Sequence, residues 1–212
     1  TIHNLSYQGL FDRATFDALG LPAHWWTPNS VEFYGHLSFI KGGLALSDVV
    51  TTVSPTYARE IRQPHLGYGL HGLLNHRADR LYGILNGIDA DEWDPEADPL
   101  LPFHYSTGDP VNKRREKEAL LQAFGLPAMG DGTALLGMVT RLTDQKGLDI
   151  VAGAFEALMK LPVQMVMLGE GQHKYHELFT DLQRRFPHAF ALRLGFDNRL
   201  AHLIEGGADL FL

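Results

Sequence analysis

The chain has 212 residues, 45% hydrophobic and 20% charged, with a formal net charge of −7 and no cysteine. That composition suits one large globular domain or two small ones, and its negative balance argues against a general nucleic-acid partner or an anionic membrane surface. Without Cys there is no disulfide framework and no thiolate metal site, which fits a reducing, cytoplasmic location; no apolar stretch approaches the ~20 residues of a membrane span.

The first residues do not read as a signal peptide. "TIHNLSY" starts as if already inside a strand, and Leu210, Phe211 and Leu212 end the chain on an apolar run. Both ends fit an internal piece of a longer protein.

In chain order, residues 1–3 read as the end of a strand, followed by an aromatic loop region with Trp25, Trp26 and Phe33. Residues 36–47 carry apolar side chains at helical spacing, and 48–54 form a β-branched, buried-strand run. Ser54 and Pro55 then suit the N-cap and first turn of a short helix. A strand over 80–89 ends in the turn signal Asn86-Gly87. The Asp- and Pro-rich stretch 90–112 has no period and reads as a connector. A charged helix over 111–127 is closed by Gly125 and Pro127. Beyond it, strands over 135–140, 163–171, 190–196 and 208–212 alternate with helices over 147–160, 173–187 and 198–207. Apolar strands joined by helical crossovers predict an α/β fold with a doubly wound parallel sheet, in which ligands bind beyond the carboxyl ends of the strands.

The candidate functional residues are judged against that rule. Arg141 directly follows one strand, and Lys146 lies in the loop before the next helix. A guanidinium fork, an ammonium and a helix N-terminus suit a diphosphate, and Gly147 permits close backbone approach. The plainer alternative is a pair of solvated loop cations neutralised by Asp144; spacing alone divides the two evenly. "MLGEGQ" lacks the third Gly of a dinucleotide fingerprint and reads as a tight turn at Gly169 and Gly171. Gly195 and Phe196 stand at a third strand end and could border a base, although an isolated Phe fits a core equally well. His3 and Asn4, at the first strand end, could bind a sugar hydroxyl; a buried, satisfied His is the commoner outcome. Ser54 and Tyr57 read as a cap and a packing ring, and Asn86 as a turn. His173, His176, His65, His71 and His76 complete no metal spacing and read as surface residues.

Taken together, "HNLSYQG", "EFYGHLSFIKGGLALSDVVTTVSPTYAREI", "YGLHGLL", "GILNGIDADEWDP", "NKRREKEALLQAFGL", "VTRLTDQKGLDIV", "MLGEGQ" and "EGGADLFL" resemble, in this order and over essentially the whole chain, the bacterial glycogen synthases, relatives of plant starch synthases. The resemblance implies a GT-B glycosyltransferase built of two Rossmann-like domains. Residues 1–90 would be part of an N-terminal, acceptor-binding domain, 91–132 a connector and helix, and 133–212 the start of a nucleotide-sugar-binding domain. It implies transfer of glucose from ADP-glucose to an α-1,4-glucan with retention of configuration and without a divalent metal or other cofactor. By motif, Arg141 and Lys146 would hold the diphosphate and stabilise the leaving ADP, and His3 would contact the transferred glucose near the reacting carbon, with Asn4 beside it. Asn86 would line the cleft near the domain crossover, and Gly195 and Phe196 would border the nucleotide. Phe196 stands where relatives often carry Tyr. The family's Lys-x-Gly-Gly-Leu loop and its Glu-containing segment after the last strand are absent from this stretch, so the 212-residue piece alone is expected to be inactive. Two rival readings stay open: another GT-B transferase of the sucrose or trehalose-phosphate type, and a non-catalytic nucleotide-sugar or glucan-binding module.

Overall fold

A computed structural model describes every residue except Met129 and Asp131. The chain forms two compact units, Thr1–Ile88 and Asp89–Leu212.

The first unit contains β1 (Leu10–Phe11), α1 (Arg13–Ala18), β2 (Glu32–Phe33), β3 (His36–Ser38), α2 (Phe39–Leu46), β4 (Val50–Thr52), α3 (Pro55–Glu60), α4 (His71–His76) and β5 (Leu81–Gly83). Its parallel sheet is small. Ile2 bridges to Thr52, and β4 pairs with β5 so that Thr52 lies opposite Gly83. Ile2, Leu5, Leu44, Val50, Ile61, Leu70 and Leu74 form the core over it. Gly83 has a structural reason: a Cβ there would sit 2.3 Å from Ser54 O and Pro55 Cα, where α3 begins. Ser54 caps that helix, accepting from the Thr56 and Tyr57 amides.

Three expectations shift in this unit. Residues 36–47 are not one helix. His36–Ser38 pairs with β1 and β2 in a three-stranded antiparallel sheet, and α2 starts only at Phe39, where the Ser38 hydroxyl accepts from Lys41 N. The strand expected over 48–54 is paired only over Val50–Thr52. The strand expected over 80–89 ends at Gly83, so Asn86 lies beyond it in exposed chain.

The second unit contains α5 (Val111–Phe124), β6 (Ala134–Leu142), α6 (Leu148–Leu158), β7 (Val163–Gly171), α7 (His173–Arg185), β8 (Phe190–Leu194), α8 (Asn198–Gly207) and β9 (Leu210–Phe211). The four strands are parallel in the order β8-β7-β6-β9. Side chains alternate across a strand. Leu136, Met138, Met165, Met167, Phe190 and Leu192 therefore pack with Phe155 and Phe179 of α6 and α7. Leu135, Val166, Leu168 and Ala191 pack on the other face with Leu120, Leu121 and Phe124 of α5 and Ile204 of α8. The chain steps outward from β6 to β7 to β8, then returns on the opposite face through α8 to β9. This reversal places the topological switch point beside β6.

The expected connector is instead a packed part of this unit. The Asp98 carboxylate accepts from His202 Nδ1 at 2.7 Å, and the Tyr105 hydroxyl donates to Gly206 O at 2.8 Å. Glycines let α8 approach closely: a Cβ on Gly206 would lie 2.8 Å from Leu101 Cδ2, and one on Gly207 2.9 Å from Leu120 Cβ.

The strand expected over 163–171 is β7, and Gly169 and Gly171 stand within its ladder rather than in a turn. A Cβ on Gly169 would fall 2.1 Å from Thr140 O, and one on Gly171 2.4 Å from Leu142 O. Backbone atoms in a parallel ladder cannot yield as a side chain can. Gly169→Ala is therefore expected to destabilise the full-length protein by about 3 kcal/mol, the upper end of overpacking costs. Gly153→Ala, inside α6 with nothing within 4 Å of the added methyl, is expected to stabilise by about 0.5–1 kcal/mol. Denaturant unfolding of the two variants measures the contrast.

Candidate functional site

The second unit has a cavity of about 270 Å³ where β6, β7 and β8 end and α8 begins. Val139, Thr140 and Arg141 line it from β6, Leu168, Gly169 and Glu170 from β7, and Gly195, Phe196, Asp197 and Ala201 from the turn into α8. Three of the sequence-predicted residues, Arg141, Gly195 and Phe196, thus converge although 54 positions separate the first two. Arg141 belongs to the strand itself, whose pairing extends to Leu142 and sets Arg141 opposite Glu170. Its side chain is exposed.

Gly195 follows β8 with φ +124, a conformation that disfavours any side chain. This releases Phe196, which is 90% exposed. An aromatic ring so open to water at a cavity mouth is not a core residue. Asp197, which sequence reasoning missed, caps α8 by accepting from Leu200 N at 2.9 Å; its signal was an Asp directly before a helical run.

Lys146 and Gly147 do not line the cavity. They lie on the turn after β6, where Asp144–Lys146 forms a 3-10 turn and Gly147, at φ +64, caps α6. Among the described residues neither Arg141 nor Lys146 takes part in an ion pair. The alternative pairing with Asp144 is not what the structure holds: Asp144 binds Lys174 and Tyr175.

In the first unit, His3 is exposed and follows Ile2, the residue bridged to β4. The Leu5 amide donates to the Tyr57 hydroxyl at 2.8 Å, so α3 holds the loop that carries His3. Asn4 shapes the same loop: its Oδ1 accepts from Ser6 N at 3.0 Å and from Ser6 Oγ at 2.7 Å. His3, Asn4 and Asn86 therefore all lie past the carboxyl edge of this sheet.

Beside that loop is an open cavity of about 670 Å³ lined by Ser6, Tyr7, Gln8, Gly9, Leu10 and Tyr68. Tyr34 and Tyr68 both adopt left-handed backbone, at φ 48 and 47, each followed by a glycine at positive φ. The two turns touch, since a Cβ on Gly69 would lie 3.0 Å from the Phe33 ring and 3.6 Å from the Tyr34 ring. Left-handed backbone costs a non-glycine residue about 1–2 kcal/mol. Here it holds two tyrosine rings out to solvent, 80% and 54% exposed, with Tyr7 at 61%. The Gln8 side chain fixes the second turn by donating to Tyr68 O at 2.8 Å.

Among the described residues no group of three or more His, Cys, Asp or Glu could hold a metal ion, and no helix is long and apolar enough to cross a membrane.

The starch synthase catalytic-domain family matches residues 1–76. A glycogen synthase of Marinobacter nauticus is 51% identical over 212 residues, all of this chain and 43% of the relative. One from Anaeromyxobacter dehalogenans is 52% identical over the same 212 residues, 44% of its length. This chain is a homologue of the bacterial glycogen synthases. It spans under half the length of these curated relatives. Its GT-B fold is that of the catalytic domain of starch synthase IV from Arabidopsis thaliana, solved bound to ADP and acarbose. The two superpose with a TM-score of 0.92 at 34% identity, over 99% of this chain and 44% of that one. A glycosyltransferase from Rickettsia africae, 15% identical with a TM-score of 0.51 over 77% of this chain, shares the fold alone.

Proposed function

We propose that the glycogen-synthase homologue to which these residues belong transfers glucose from ADP-glucose to the non-reducing end of an α-1,4-glucan, with retention of configuration and without a metal. The observation that carries this reading is the cavity where Arg141, Gly195 and Phe196 meet, at the carboxyl ends of parallel strands, in a chain that aligns with glycogen synthases along its whole length. The exposed Phe196 ring suits the face of an adenine, and Arg141 the diphosphate beyond it.

The chemistry uses these residue types. The bond from glucose C1 to the β-phosphate oxygen breaks, the bond from C1 to the acceptor O4 forms, and the acceptor hydroxyl proton passes to the departing diphosphate. Negative charge grows on the diphosphate oxygens as they leave, so a fixed guanidinium and ammonium stabilise the transition state more than the ground state. In a chain of net charge −7 such cations must be supplied locally. Arg141 and Lys146 take that role, Gly147 gives backbone access, and His3, with Asn4 and Asn86, serves the sugar side. The acceptor glucan fits the first unit, where Tyr7, Tyr34 and Tyr68 present flat amphipathic rings against which sugar faces pack. The reaction's setting is the cytoplasm, with no membrane or nucleic acid as partner.

The test supplies the full-length protein with ADP-glucose or UDP-glucose and a glycogen primer in the presence of EDTA. Glucose is expected to enter α-1,4 linkages, faster from ADP-glucose. No incorporation from either donor would leave a binding module, and formation of sucrose or trehalose phosphate would replace the acceptor.

A further inference from the structure

We infer that Asp144, Lys174 and Tyr175 form a brace that positions the Lys146-bearing turn and withholds that turn's carboxylate from Arg141 and Lys146. The inference rests on the diphosphate reading above and concerns groups that contact neither donor nor acceptor, which makes them positioning residues.

Between Arg141 and Gly147 the only acidic side chain is Asp144, three residues from one cation and two from the other. Free to swing, it would compete with a diphosphate for both. It is not free. One carboxylate oxygen of Asp144 accepts from Lys174 Nζ and, at 2.7 Å, from the Tyr175 hydroxyl. Both donors stand in the first turn of α7.

An exposed lysine–aspartate pair alone would be a weak restraint. Tyr175 is different. Its ring is 4% exposed and belongs to the core cluster with Leu142, Leu148 and Phe179. Packing of the sheet and helices therefore decides where its hydroxyl points. Leu142 and Leu148, in the same cluster, flank the turn on either side, so the turn and its anchor share one core. A backbone bond from Gln172 N to Leu142 O, 2.8 Å long, joins the α7 start to the end of β6 as well. Within the turn, Lys146 N donates to Thr143 O at 3.0 Å and Gly147 N to Asp144 O at 3.3 Å. Fixing Asp144 thus fixes the segment from which Lys146 projects. The titration behaviour agrees: hydrogen bonds from Lys174 and Tyr175 hold the Asp144 carboxyl below its usual range, and Asp144 raises both Lys174 and Tyr175. The Asp144 carboxylate is thus taken up by α7 rather than by Arg141 or Lys146.

The experiment is a double-substitution cycle in the full-length protein, read as the calorimetric Kd for ADP. Tyr175→Phe keeps the buried ring and every formal charge and removes only the hydroxyl. It is expected to weaken ADP binding about threefold, the scale of one exposed charge-assisted contact. In an Asp144→Asn background, where no carboxylate is left to restrain, the same substitution is expected to leave Kd unchanged. Such non-additivity is the signature of a direct coupling. An equal loss in both backgrounds, or no loss beside Asp144, overturns the brace. If the wild-type protein binds ADP but shows no coupling, only the brace fails. If it binds no ADP, the diphosphate reading fails and the brace with it.

Discussion

Alanine at Arg141 or at Lys146 in the full-length protein is expected to lower kcat by about 10²–10³, equivalent to ~3–4 kcal/mol, the usual cost of one preorganised charge-stabilising contact. The glycogen KM should change little. Both side chains are exposed and hold no ion pair among the described residues, so neither substitution should change the unfolding free energy by more than the roughly 0.5 kcal/mol typical of surface positions. Arg141→Lys separates geometry from charge. A guanidinium can bind two phosphate oxygens side by side from a fixed strand position, and an ammonium cannot. Most of the activity should therefore stay lost in the lysine variant. Steady-state kinetics with ADP-glucose and glycogen measure both. An effect confined to glycogen affinity would move these residues to the acceptor side and remove the leaving-group role.

Why these two residues could be singled out in advance is a matter of range. A strand buried on both faces is readable from a continuous apolar run, and Leu135–Val139 is one, so the strand was legible although its end was not: the pairing continues past Arg141 to Leu142, where the apolar run has stopped. Lys146 and Gly147 follow within one turn. Gly195 and Phe196 reach the same cavity as Arg141 only because the strand order is β8-β7-β6-β9, which the alternation of elements implied without stating neighbours. What failed was either very short or very distant. The strands β1, β2 and β3 have two or three residues each, too few to show a period, and the polar Ser38 reads equally as a helix interior or its cap. Gly169 and Gly171 suggested a turn because glycine so often permits positive φ. Here glycine is required for space, since the carbonyls of Thr140 and Leu142 occupy the room a Cβ would need. The Asp- and Pro-rich stretch after residue 90 showed no period because long-range side-chain pairs, rather than a helical stripe, bind it to α8.

The strongest of those pairs carries the largest stability effect. His202 is 2% exposed and Asp98 3%. The carboxylate can only accept, so His202 Nδ1 donates to it, across 2.7 Å. Trp93 stacks on the imidazole with centroids 3.8 Å apart and planes 11° from parallel. The other Asp98 oxygen receives the Leu100 amide at 2.8 Å. His202→Ala would remove the ring from beneath Trp93 and strip a buried carboxylate of its side-chain donor. The expected cost is about 3–5 kcal/mol, the range for truncating a large buried ring, with the carboxylate left short of a donor included. Asp98→Asn keeps an acceptor for Nδ1 and is expected to cost about 1 kcal/mol, one ordinary hydrogen bond's difference. Denaturant unfolding of the full-length protein compares them; equal costs would mean that burial of the segment, rather than this pairing, sets the stability. A functional consequence follows from position. His202 is the next residue after Ala201, which lines the cavity with Asp197 and Phe196. Freeing this side of α8 should therefore weaken ADP binding in the His202→Ala protein even under conditions where it remains folded, while Asp98→Asn should bind ADP as the wild type does.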